Sequence, residues 1–170
     1  MGKHVSAGDG LESHMKALES KDGMIRQSAR EALVALGGSA VAPLAMVLET
    51  SKHKQVRWEA AKALGAMGET TAIPALVTAL EDSDSDVIWL AAEALTGFGK
   101  EAWPALLKAL VVEGTESAIL RKGMHHVFAN QEESRGDGVL APLQSALEVG
   151  ALPEAAPIAA GELLDLLRAN

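Results

Sequence analysis

The chain has 170 residues, of which 48% are hydrophobic, with 15 basic and 23 acidic side chains giving a net charge of -8, and it has no cysteine. The apolar share is enough to bury a core and argues against disorder, the acidic balance disfavours nucleic acid as a partner, and the missing thiols exclude disulfides, thiolate metal sites and cysteine nucleophiles. Only 3% of residues are aromatic and none is Tyr, so the apolar content is Ala, Leu and Val, which suits close-packed helices and predicts an all-α fold.

Residues 1–8 are small and polar and are expected to form a flexible N-terminus; they lack the apolar stretch of a signal peptide. Asp9 and Glu12 have the spacing of a capping box, which predicts a helix from about residue 9 to 19. Leu11 and Leu18 match Val41 and Leu48 at an offset of 30, so this helix reads as the second half of an incomplete first unit.

The segment VRWEAAKALGAMGETTAIPALVTAL, residues 56–80, has counterparts on both sides of it. A first helix type opens at Ile25, Val56, Val87 and Leu120, at offsets of 31, 31 and 33. At about 100° per residue, Val56, Ala60, Ala63, Leu64 and Met67 share one face, as do Ile25, Ala29, Ala32, Leu33 and Leu36, then Val87, Ala91, Ala94, Leu95 and Phe98. In the last unit Leu120, Met124, Val127 and Phe128 take those places, with Gln131 as a polar departure. Asp22, His53, Asp84 and Ser117 stand three residues ahead of each start, three of them good N-caps, and Gly37, Gly68 and Gly99 end the first three helices.

A second helix type carries a first-turn proline at Pro43, Pro74, Pro104 and Pro142, with Ser39 and Thr70 placed as caps. Residues 131–138 have the composition of an exposed loop, and residues 154–169 read as a helix closing the open end of the stack. The expected organisation is one repeat domain over residues 9–170, with units at 9–20 (partial), 22–50, 53–81, 84–112 and 117–149 and the closing helix at 154–169. Self-similarity at such a period is the signature of a solenoid, in which each unit buries its apolar face against the next.

The run Val56-Arg57-x-x-Ala60-Ala61-x-Ala63-Leu64-Gly65-x-Met67-Gly68, followed by Ala72-Ile73-Pro74-x-Leu76 and Leu80, resembles HEAT repeats of the short type found in phycobilisome-lyase HEAT-like proteins. The resemblance implies a right-handed α-α superhelix of about four helix pairs plus end helices. The family-like arginine stands at Arg26, Arg57 and Arg121 but gives way to Ile88, which interrupts an inter-repeat ladder. The resemblance also implies that Gln27, Glu31, Trp58, Glu59, Lys62, Trp89, Leu90, Glu93, Lys122 and His126 lie on the concave, partner-facing side.

Trp58 and Trp89 stand about 200° from the first core residue of their helices, so both are expected on the surface and side by side. Surface tryptophan is enriched at binding hot spots. Trp103 replaces the aliphatic residues of the second helix type and is expected in the core. His125 and His126 point about 100° apart on one helix and cannot chelate an ion together, and HExxH, Gly-x-Ser-x-Gly and phosphate-binding glycine loops are absent. The expected function is therefore a non-enzymatic scaffold binding a protein or peptide, cytoplasmic, with no cofactor, no metal and no membrane segment. The alternative, from the resemblance, is a bilin lyase-like or cofactor-assembly role in which the two indoles stack a tetrapyrrole.

Overall fold

The computed structural model describes the backbone of residues 7–131 and 138–169 and side chains from residue 10. Expectations for residues 1–6, and for the loop at 132–137, lie outside the described residues. Among the described residues the chain is helical, with no strand. Its helices are α1 (Ala7–Ala17), α2 (Gly23–Ala35), α3 (Gly38–Thr50), α4 (Lys54–Met67), α5 (Ile73–Thr78), α6 (Ser85–Phe98), α7 (Trp103–Glu113), α8 (Ala118–Ala129), α9 (Ala141–Leu147) and α10 (Ala155–Ala169).

Start and stop signals act where the repeat period puts them. Asp22, Asp84 and Ser117 accept from the backbone N–H of Met24, Asp86 and Leu120, each satisfying an amide that has no intrahelical acceptor. His53 is the N-cap of α4 without a side-chain bond. The stops at Gly37, Gly68 and Gly99 have φ of 60°, 66° and 56°, a backbone region that side chains with a Cβ rarely enter.

The helices form two layers. One consists of α2, α4, α6 and α8, each packed on the next; in the other, α1, α3, α5 and α7 follow one another. Alanines let neighbouring helices close up: Ala60, Ala61, Ala63, Ala91 and Ala92 are all buried. At Gly65 an added Cβ would stand 2.8 Å from the Ala94 Cβ, so Gly65 sets how closely α4 and α6 approach. Gly65→Ala is expected to lower stability by roughly 1–3 kcal/mol through overpacking, whereas Gly10→Ala, where a Cβ meets nothing within 4 Å, should not; urea denaturation of the two variants checks this.

Several local expectations need correction. The first helix starts at Ala7, so Asp9 lies inside α1 and not at the position before its first residue. Gly37 caps α3, and the Ser39 hydroxyl instead donates to the Leu36 carbonyl at 3.0 Å. Thr70 opens a 3-10 turn (Thr70–Ala72) whose N-cap is Glu69. Pro74, Pro104 and Pro142 are in the first turn of their helices, but Pro43 lies deeper in α3, because the residues that form separate 3-10 turns in the next two units are here continuous with the helix. Ile25 is 49% exposed: α2 is the first helix of its layer, and no earlier unit covers it.

The end of the stack also departs from the repeat. α10 packs chiefly on α7 and then on α9, while α9 packs on α8 and α10. Ala156, Ala159, Ala160, Leu163 and Leu164 form the buried stripe of α10. This helix therefore takes the place beside α7 that the repeat assigns to α9, and α9 packs on α8 and α10 instead.

Candidate interaction cleft

Arginine at the second position of three of the four first-type helices fastens the loop before it. Arg26 Nη1 donates to the Ser20 carbonyl, Arg57 Nη1 to the Ser51 carbonyl and Arg121 Nη1 to the Thr115 carbonyl, at 2.8, 2.9 and 2.9 Å. Two of these arginines also bridge to the next unit. Arg26 Nε meets Glu59 Oε1 at 3.1 Å, and Arg57 binds both carboxylate oxygens of Asp82, at 2.7 and 2.8 Å. The bond to Asp82 raises the Arg57 guanidinium above its ordinary value, which keeps it charged throughout the working pH range. Asp82 in turn accepts from the Asp84 amide at 2.8 Å.

The ladder breaks at Ile88, and a cleft opens there. It lies between α6 and α8, has a volume of about 390 Å³, and is lined by Ile88, Trp89, Ala92, Ile119, Lys122 and Gly123, with Asp82, Ser83, Ser85 and His126 at its margins. Three features of the sequence meet there. The third-to-fourth offset is 33 residues where the earlier ones are 31; an aliphatic side chain replaces the clamping arginine; and Gly123 presents no side chain, its position packed against Leu80, 3.2 Å from where a Cβ would lie.

The ten residues expected on one face divide into groups. Trp89 is 54% exposed and stands beside Lys122 and His126 in the cleft. Glu93 Oε1 lies 2.7 Å from His126 Nε2, a bridge from α6 to α8 along the cleft margin. Leu90 is half-buried and packs against the core. Gln27 donates to Glu31 at 2.9 Å, one turn along the exposed side of α2 and two units away.

Glu59 is not a surface residue. It is 2% exposed, held by Arg26, by Arg30 and by Gln55 Nε2 at 3.3 Å. Its position in the repeat, shared with Leu90 and Gly123, faces the neighbouring helix of the layer, so the concave placement that the resemblance implies does not hold for Glu59.

Nor do the two indoles form a pair. Trp58 is partly buried and packs against the core, with the Lys62 ammonium 4.7 Å above its ring and the Arg30 guanidinium at 6.0 Å, both within cation–π range. It makes no ring contact with Trp89. The flat two-indole platform expected for a tetrapyrrole is therefore not formed. Ile119 and Ala92 belong to the cleft and escaped the sequence reading; the signal pointing to them was Ile88, the apolar residue standing where the repeat has arginine.

At the N-cap of α6, Asp84 Oδ2 lies 3.2 Å from Lys54 Nζ. That ammonium, followed by the Asp86 and Val87 amides, holds the Asp84 carboxyl below its ordinary value. A carboxylate with a lowered folded-state value adds stability that is present above its unfolded value, about 3.9, and is lost as pH falls through the folded one. Asp84→Asn keeps a capping side chain but no charge; it should be less stable than wild type at neutral pH, with the difference narrowing below about pH 4, as thermal melts across pH would read.

Among known proteins, the family described as HEAT repeats matches residues 41–122, a span that runs from α3 into α8 and holds most of the cleft's lining. No curated protein matches the chain. Among solved structures, the chain is similar to a crystal structure of an engineered protein at 23% identity, covering 97% of this chain and 81% of that one, with a TM-score of 0.43. Repeat period, capping pattern and two-layer packing agree: the chain is an all-α solenoid, and residues 41–122 of it are similar to HEAT repeats.

Proposed function

We propose that the protein is a non-enzymatic interaction scaffold that binds a protein or peptide in the α6–α8 cleft, with Trp89 as its anchor. The observation that carries this reading is Trp89 itself, a large aromatic side chain 54% exposed on the wall of an apolar cleft of about 390 Å³. Leaving such a surface in water is unfavourable, and its burial by a partner is the usual origin of a binding hot spot. HEAT repeats over residues 41–122 support a scaffold role. Trp58, held under Lys62 and Arg30, serves the packing of α4 instead.

The reading separates two substitutions that the sequence treats alike. Trp89→Ala should leave the melting temperature and helicity unchanged and weaken capture of the partner from source lysate by roughly 30-fold or more, the loss typical of a hot-spot tryptophan. Trp58→Ala should lower stability and retain capture. Equal capture by wild type and Trp89→Ala would contradict the assignment of the cleft.

A further inference from the structure

The charges around the cleft bear on what it holds. Its two carboxylates are already engaged: Asp82 is bound through both oxygens by Arg57, and Glu93 meets His126. Lys122 is different. It is exposed, lines the apolar pocket beside Trp89 and Ile119, and among the described residues no carboxylate lies within ion-pair distance of it. Among the described residues no cation lies over the Trp89 ring. Lys62 lies one turn beyond Trp58 and covers its ring; the residue one turn beyond Trp89 is Glu93, which is turned to His126.

A second groove adjoins the cleft at Ile119 and bears the opposite charge. Glu81, Glu113 and Glu116 line it, and the Glu81 carboxyl beside Glu113 raises the Glu113 carboxyl above its ordinary value. The cleft therefore has a cationic side at Lys122 and an acidic side beyond Ile119. An occupant with carboxylates on both flanks would meet repulsion on one of them.

Resting on the cleft as docking site, we propose that its occupant is a peptide segment with an aliphatic or aromatic anchor and an acidic residue on one flank only. The anchor fills the space bounded by Ile88, Ala92 and Trp89, replacing water against apolar walls. The acidic flank pairs with Lys122, and the other flank, neutral or basic, lies toward Glu113. Register comes from the charge and affinity from the anchor.

Selection of a display library of randomised short peptides on the immobilised full chain tests this. Wild type should enrich sequences with an apolar anchor and one acidic flank, binding should be lost in Trp89→Ala, and Lys122→Glu should weaken the selected peptides about tenfold and enrich basic flanks when selected afresh. Because Lys122 is exposed, the charge reversal leaves the fold intact, which far-UV circular dichroism verifies. Enriched peptides that need Trp89 but show no acidic preference, or are indifferent to Lys122→Glu, would overturn the proposed chemistry and leave the docking site standing. Enrichment independent of Trp89, or none at all, would overturn both.

Discussion

Glu59→Ala should lower the unfolding free energy by roughly 3–5 kcal/mol, the cost of removing one partner from a buried ion pair. The carboxylate is the junction of the first two complete units: Arg26 and Arg30 reach it from α2, and Gln55 from one turn earlier in α4. Arg26 and Arg30 are themselves largely buried, with side chains 18% and 14% exposed. Deleting the acid leaves two guanidinium groups facing each other without compensation, and the loss of Coulomb attraction is joined by their mutual repulsion. Denaturant titration should show a lower midpoint with an unchanged slope. Replacing all three charged residues by apolar ones should recover much of the loss, since burying a pair costs desolvation that hydrophobic packing avoids. A loss below about 1 kcal/mol for Glu59→Ala would match an exposed pair and contradict the burial of this junction.

Trp103→Ala should cost about 3–5 kcal/mol by removing a large core side chain and leaving a cavity. The indole is 1% exposed and opens α7, tilted 58° against Phe128 of α8 with ring centroids 6.3 Å apart, an arrangement that adds to the energy of burial alone. Lys100 Nζ lies 5.7 Å from its ring on the outer side. Since α7 also carries α10 on its flank, the damage spreads to the closing helix, and hydrogen exchange should show α10 losing protection together with α7 and α8. Trp103→Phe, which keeps an aromatic ring against Phe128, should be milder. The three tryptophans thus divide into three roles: Trp103 fills the core, Trp58 is covered by cations, and Trp89 faces the cleft.

How much of this was legible follows from how local each cause is. Caps and stops depend on one residue and its immediate backbone, so Asp22, Asp84, Ser117 and the glycine stops could be read from spacing. The alanine faces and the core position of Trp103 depend on helical period and were equally accessible. Glu59 was not, because its environment is made by Arg26 and Arg30, 33 and 29 residues away; only the inter-unit contact turns an exposed-looking position into a buried one. The separation of Trp58 from Trp89 has the same origin, since Lys62 covers one ring and Glu93 turns away from the other. The register of α10 against α7 is a property of the end of the stack, where the repeat no longer dictates its neighbour. Ile88 was visible as a break in the arginine ladder, but that a break opens a cleft required the packing of α8.

The docking site itself is tested most directly by photo-crosslinking. A benzophenone side chain placed at Ile119, 53% exposed on the cleft, or at Met46, 65% exposed on α3 of the other layer, keeps Trp89 and Lys122 in place. Irradiation in source lysate should give a discrete adduct from position 119 that disappears when Trp89→Ala is added, and none from position 46. An adduct from position 46 alone, or one from 119 that survives Trp89→Ala, would contradict the assignment of the α6–α8 cleft as the surface through which this solenoid works.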